Sequence, residues 1–153
     1  MLSERLAEFW TERHLCVLST VRADGTVHAT PVGATLDVEA GIARVICSGT
    51  SYKARTIRKA GVAAVAVTQV DGRRWSTLEG RAVVSDDPER VQEAVRRYAK
   101  RYREPRENPR RVVIEITEGT EGDRFWRADA IEVLTPSPDR VAAPCPYAGP
   151  GRC

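Results

Sequence analysis

The stretch His14-Leu15-Cys16-Val17-Leu18-Ser19-Thr20-Val21-Arg22-Ala23-Asp24-Gly25-Thr26-Val27-His28-Ala29-Thr30-Pro31-Val32 reads as two β-strands joined by a tight turn. β-branched residues recur on both sides of Asp24-Gly25. An Asp-Gly pair between two such runs marks a hairpin, because its residues accept the positive φ that the turn requires. The pattern returns over residues 62–70 and 74–84, separated by Asp71-Gly72. The first of these runs is apolar enough to predict burial on both faces. A further strand over 42–47 follows the turn residues Glu39-Ala40-Gly41, which predicts that the first three strands form an antiparallel meander.

Helical spacing appears in three places. Leu6, Phe9 and Trp10 share one face of a short first helix, with Ser3 as its N-cap. Residues 52–60 form a short basic helix that Gly61 ends as a C-terminal cap. The third helix opens on Asp87 as N-cap and Pro88 in the first turn. It carries Val91, Ala94, Val95, Tyr98 and Tyr102 as its apolar stripe and ends before Pro105. Two last strands are expected over 111–117 and 125–134, with a turn-rich 118–123 between them. Seven strands in hairpins with helices only at their margins point to a mainly β chain, an antiparallel barrel with peripheral α-helices. One domain over 1–135 and a Pro/Gly-rich, disordered tail over 136–153 complete the expected organisation; there is no internal repeat.

The 153 residues carry 42% hydrophobic and 29% charged side chains, as a globular protein does. No apolar run approaches the length of a membrane span, and the charged start lacks the hydrophobic region of a secretory signal, so a cytoplasmic protein is expected. Cys16 and Cys47 sit in apolar strands as small core residues. Cys145 and Cys153 lie on the tail, where they could close a small disulfide loop but are expected as free thiols in a reducing compartment, and none of the four has metal-ligand spacing. A net charge of +3 is too small for a nucleic-acid binder. The basic residues are nonetheless concentrated between Arg96 and Arg111, a segment suited to anions. The tyrosines there fall on the helix stripe, which argues against a single-stranded nucleic-acid surface.

For chemistry, the informative segment is Ser48-Gly49-Thr50-Ser51-Tyr52-Lys53-Ala54-Arg55, where a strand end passes through hydroxyl residues into a helix N-terminus. Free amides, the positive end of the helix dipole, hydroxyls and the charges of Lys53 and Arg55 suit a phosphate. The same residues also describe an ordinary Ser-capped helix with a solvated basic face, and both readings stand at this point. No P-loop or Rossmann fingerprint occurs. His14 and His28 both fall at strand positions without a nucleophile elbow or a metalloprotease motif, and are expected as barrel-wall residues.

Several segments together resemble the pyridoxamine-phosphate-oxidase-like split-barrel family: 14–25, Pro31-Val32-Gly33, Ala43-Arg44-Val45-Ile46 and Lys53-Ala54. Val70-Asp71-Gly72-Arg73-Arg74-Trp75, Leu78-Glu79-Gly80-Arg81-Ala82, the run 97–106 and Asn108-Pro109-Arg110-Arg111 resemble its branch of F-420-dependent biliverdin reductases. The resemblance covers residues 5 to 117. It implies a split barrel of Greek-key type and a homodimer that holds its cofactor in a groove between two barrels. By position, Ser48, Ser51, Lys53 and Arg55 would hold the phosphate, with Gly49 and Ala54 also among the cofactor-binding residues. Pro31, Val32 and Gly33 would line the deazaflavin ring, and Gln69 and Trp75 would close the site, Trp75 from the other subunit. Thr56 stands where many relatives have Asn, and Phe125-Trp126-Arg127 departs from them. The implied activity is hydride transfer from reduced coenzyme F-420 to a conjugated substrate such as biliverdin, with the reactive chemistry carried by the cofactor. FMN with the same fold, or a protein that only carries the cofactor, would use the same anion site. No metal and no membrane partner are expected.

Overall fold

The computed structural model describes residues 4–117. The expected Ser3 cap, the 118–123 turn, the strand over 125–134 and the tail with Cys145 and Cys153 lie outside the described residues. In chain order the elements are α1 (Glu4–Thr11), β1 (Cys16–Val21), β2 (Val27–Val32), β3 (Ala34–Asp37), β4 (Ile42–Ser48), α2 (Tyr52–Ala60), β5 (Ala63–Asp71), β6 (Arg74–Ser85), α3 (Pro88–Arg101) and β7 (Arg111–Thr117).

Both Asp-Gly hairpins form. Gly25 and Gly72 take φ of 85° and 58°, values that side-chain-bearing residues avoid. β1 pairs antiparallel with β2 from Val21↔Val27 to Cys16↔Val32, and β5 pairs with β6 from Asp71↔Arg74 to Ala63↔Ala82. The full sheet runs β2-β1-β5-β6-β7-β4-β3, seven antiparallel strands. Its two edge strands, β2 and β3, are consecutive in the chain and meet at Gly33, so the sheet wraps into a split antiparallel barrel.

This order corrects the expected meander. β4 does not lie beside β2; it pairs with β3 and β7 at the other end of the sheet. The strand over 34–37, unforeseen from the sequence, carries the chain across. Ala34-Thr35-Leu36-Asp37 is only four residues long and sits between Gly33 and the Asp37–Gly41 turn, too short to show a period.

The interior is built from Leu18, Val45, Val67, Leu78, Ile114 and Ile116, all without solvent exposure. Ile57 of α2 and Leu6 and Trp10 of α1 join the same core. The buried Trp10 indole donates to Ser76 Oγ at 3.1 Å, which satisfies its polar edge. In α3, Asp87 accepts from the Glu89 amide at 2.9 Å as the N-cap. Only Ala94 of its stripe is fully buried, and the helix packs over β3, β4 and β7.

β5 departs from the expectation of two buried faces. It alternates, with Val65, Val67 and Gln69 inside and Ala64 and Val70 exposed. His14 also departs from its expected place: it precedes β1, packed on Phe9 at 5.6 Å between ring centroids, whereas His28 lies on β2 against Tyr52.

Candidate functional site

A cleft of about 560 Å³ opens where β2 breaks into β3, β4 ends, and α2 begins. One wall is Pro31, Val32 and Gly33. Ile46, Cys47, Ser48 and Lys53 line another side, and the far side is Tyr98 with the segment after α3 and Arg111. That volume suits a small ligand or cofactor.

Gly33 is required by this construction. A Cβ there would meet Tyr98 Cε2 at 2.5 Å and Tyr102 Cε2 at 3.1 Å, so the α3 tyrosines press directly on the backbone. The neighbouring residue is gripped from the same helix. Ala34 N–H donates to the Tyr102 hydroxyl at 3.2 Å, and Arg101 Nη1 donates to Ala34 O at 2.5 Å. Arg101 also donates to Glu12 O at 2.9 Å and to the side chain of Gln69. The two walls of the cleft are therefore held together by partly buried hydrogen bonds. Burial pushes the Tyr102 hydroxyl well above its usual range and raises the Cys16 thiol beside it.

The anion end follows from the β4–α2 junction. Ser51 caps α2, accepting from Ala54 N–H at 3.4 Å, and the Ser48 and Thr50 hydroxyls lie 2.9 Å apart. The first-turn amides of Tyr52 and Lys53 have no intrahelical acceptor. Lys53 reaches the cleft, as do Arg103, Arg106 and Arg111, and Glu104 is the one carboxylate residue among its lining. An apolar wall at one end and four cations at the other fit a flat ring that carries a phosphate or carboxylate.

Of the residues singled out from the sequence, Pro31, Val32, Gly33, Ser48 and Lys53 are brought together here. Gly49 sits at the edge, its N–H donating to Arg110 O at 2.7 Å. Ala54 faces the core without exposure. Arg55 lies in a second groove with Arg22, Tyr52 and Lys59, because two positions along a helix turn it away from Lys53. Gln69, expected to close the site, is fully buried instead and donates to Phe9 O at 2.8 Å as part of the Arg101 clamp. Trp75 is half-buried on β6 opposite Val70 and does not line the cleft. Sequence reasoning missed Tyr98 as a wall residue and did not separate Arg103, Arg106 and Arg111 from their neighbours. The signal available was the approach to Pro105, which ends α3 at Arg101, so that Arg103, Arg106 and Arg111 no longer follow a helix face.

Glu12, His14 and Asp71 place one ligand atom each within 4.8 Å of one another. Arg74 already bridges both acids, donating to Glu12 Oε2 at 2.8 Å and to Asp71. Its hydrogen bond holds the Glu12 carboxyl down to about 2, with His14 helping. With Arg74 between the two acids, the cluster is an ion-pair network.

Residues 2–120 match the family described as pyridoxamine 5'-phosphate oxidase. A reduced-F-420-dependent biliverdin reductase of Mycobacterium tuberculosis is 51% identical over 115 residues, which is 75% of this chain and 82% of that protein. Among solved structures, a conserved hypothetical protein of Mycobacterium tuberculosis aligns with a TM-score of 0.63 at 24% identity, over 77% of this chain and 81% of its own. A structure titled F-420 reductase aligns with a TM-score of 0.58 at 24% identity, over 76% and 94%. These two likenesses agree in fold with the seven-stranded split barrel. The chain belongs to the pyridoxamine 5'-phosphate oxidase family.

Proposed function

We propose that this protein is an oxidoreductase that binds coenzyme F-420 in the Pro31–Lys53 cleft and reduces a conjugated organic substrate, biliverdin being the first to test. The observation that carries this reading is the cleft itself. Its Pro31-Val32-Gly33 wall is apolar, and its lining also gathers Ser48, Lys53, Arg106 and Arg111. The 51% identity to a biliverdin reductase that uses reduced F-420 supports that cofactor over FMN. When bound, reduced F-420 supplies a hydride. The protein's own part is to stack the ring against residues 31–33, hold its anionic arm at Lys53 and the α2 amides, and present cations to a substrate gaining negative charge. None of these tasks needs a titrating side chain at the reacting atom.

The cleft is open on one side, and a second copy of the chain is the proposed cover. The outer face of β2-β1-β5 carries Val17, Val21, Val27, Pro31, Ala64 and Val70, with Val27 and Val70 each 59% exposed. An apolar face of this extent is a protein-contact surface. Pro31 belongs to both this face and the cleft, so a partner there would help complete the site, with Trp75 placed to contribute from the same side. The face also accounts for β5 reading as an all-buried strand. A cytoplasmic location is part of the proposal; no helix among the described residues is long and apolar enough to cross a membrane.

Fluorescence titration of the purified protein with F-420 and with FMN tests the cofactor. F-420 should bind and FMN should bind more weakly; FMN alone, or neither, overturns the reading. Sedimentation tests the dimer: the wild type should run as a dimer and Val17→Asp/Val27→Asp as a monomer with impaired F-420 binding. A monomeric wild type contradicts it.

A further inference from the structure

We infer that a recess of about 350 Å³ beside the main cleft, lined by Arg13, Leu15, Tyr98, Tyr102 and Arg103, is a substrate-specificity pocket in which Arg13 and Arg103 receive a carboxylate arm of the substrate.

The recess is continuous with the cleft, because Tyr98 and Arg103 line both. It adjoins the Pro31–Gly33 wall, since the Tyr98 and Tyr102 rings, 4.9 Å apart, are the groups that press on Gly33. A substrate positioned against a ring on that wall would therefore extend into the recess rather than toward the α2 anion end. Its surface is amphipathic. Leu15 is 72% exposed beside the two phenol rings, an apolar area whose burial by a conjugated body is favourable.

The charges are the second half of the argument. Neighbouring arginines are spoken for: Arg97 reaches Asp37 at 2.7 Å, and Arg101 is held by Ala34, Glu12 and Gln69. Arg13 and Arg103 make no ion pair with any described residue, and no carboxylate lines the recess. Glu12, next to Arg13 in sequence, is engaged by Arg74 at 2.8 Å. Two uncompensated guanidinium groups at the rim of an apolar recess recognise a carboxylate through paired N–H donors. Because both are exposed, the attraction is screened by salt.

Biliverdin, which carries two propionates, is chosen as the probe on the strength of the reductase reading; the pocket is tested by binding alone. The protein is titrated with biliverdin and with its dimethyl ester, following the bilin absorption at low and high salt. Wild type should bind the acid about tenfold more tightly than the ester, a preference that shrinks in salt. Arg13→Gln/Arg103→Gln should abolish the preference and leave ester binding unchanged, and Arg13→Gln alone, whose side chain lines the recess and not the cleft, should shrink the preference with F-420 affinity unchanged. Arg96→Gln, which removes an exposed cation elsewhere on α3, should leave the preference intact. Equal binding of acid and ester by wild type, a preference that survives in the double variant, or an equal loss in Arg96→Gln overturns the assignment. An acid preference erased by the double variant, in a protein that shows no F-420-linked turnover, would sustain the pocket and sink the reductase reading instead.

Discussion

Two sets of basic residues in this molecule behave in opposite ways, one paired within the fold and the other facing an open cleft. Around α1 and the β5–β6 turn, Arg74 is bound to Glu12 and Asp71, and Arg101 is bound to Gln69 and to backbone carbonyls. Around the cleft, Lys53, Arg103 and Arg106 face the open volume with Glu104 as the one acidic residue in its lining. The first set spends its charge inside the fold. The second leaves it for a ligand, so composition alone, which counts both alike, says little about function.

The contrast makes separable predictions. The largest effect belongs to the clamp. Arg101→Ala leaves the buried Gln69 carbonyl oxygen with only the weak Cys16 thiol donor and the Ala34 carbonyl with only Tyr102, and should lower unfolding free energy by about 2 kcal/mol in denaturant titration. Cofactor affinity should fall with it, because the β2–β3 wall is no longer held. Next comes Lys53→Gln. It should weaken F-420 binding about tenfold by fluorescence while the unfolding free energy stays within about 0.5 kcal/mol of wild type. A large stability loss there would erase the distinction between the two sets.

Acid titration sharpens the comparison from the folded side. Glu12 is depressed in the fold from an ordinary 4.5 to about 2, chiefly by the hydrogen bond from Arg74 and then by His14. A depressed carboxyl favours the fold at pH values above its unfolded pKa, and that contribution is lost as pH falls from 4.5 toward about 2. The pair is partly exposed, so the effect is modest. Arg74→Gln should flatten the acid limb of the stability–pH curve and leave cofactor binding unchanged. The smallest effect is that of Arg96→Gln: this side chain is 72% exposed and paired with Glu93 on the α3 surface, and stability should change by less than about 0.5 kcal/mol.

How far the sequence could be read depended on whether a feature was local. The Asp-Gly hairpins, the Asp87-Pro88 start of α3 and the Ser51 cap are set by neighbouring residues and formed as read. β3 was invisible because its four residues acquire strand character only by pairing with β4. The placement of β4 at the far end of the sheet depends on β7, more than sixty residues away in the chain. In the site, the resemblance to the family located residues 31–33 and Lys53. Helix geometry, which a position-by-position carry-over ignores, turned Ala54 into the core and Arg55 into the second groove. Gln69 was assigned to the site by position in the resemblance; in the fold, Phe9, Cys16 and Arg101 engage it.

The central claim is that the cleft between the Gly33 wall and Lys53 holds F-420 for reduction of a bound substrate. The most direct test is single-turnover oxidation of reduced F-420, followed by recovery of its absorbance when biliverdin is added to the protein–cofactor complex under anaerobic conditions. The account predicts oxidation that depends on both protein and biliverdin and is sharply reduced in Lys53→Gln at subsaturating cofactor. Reduced F-420 that binds but is never oxidised by biliverdin or other conjugated acceptors, or a rate equal to that without protein, would contradict it.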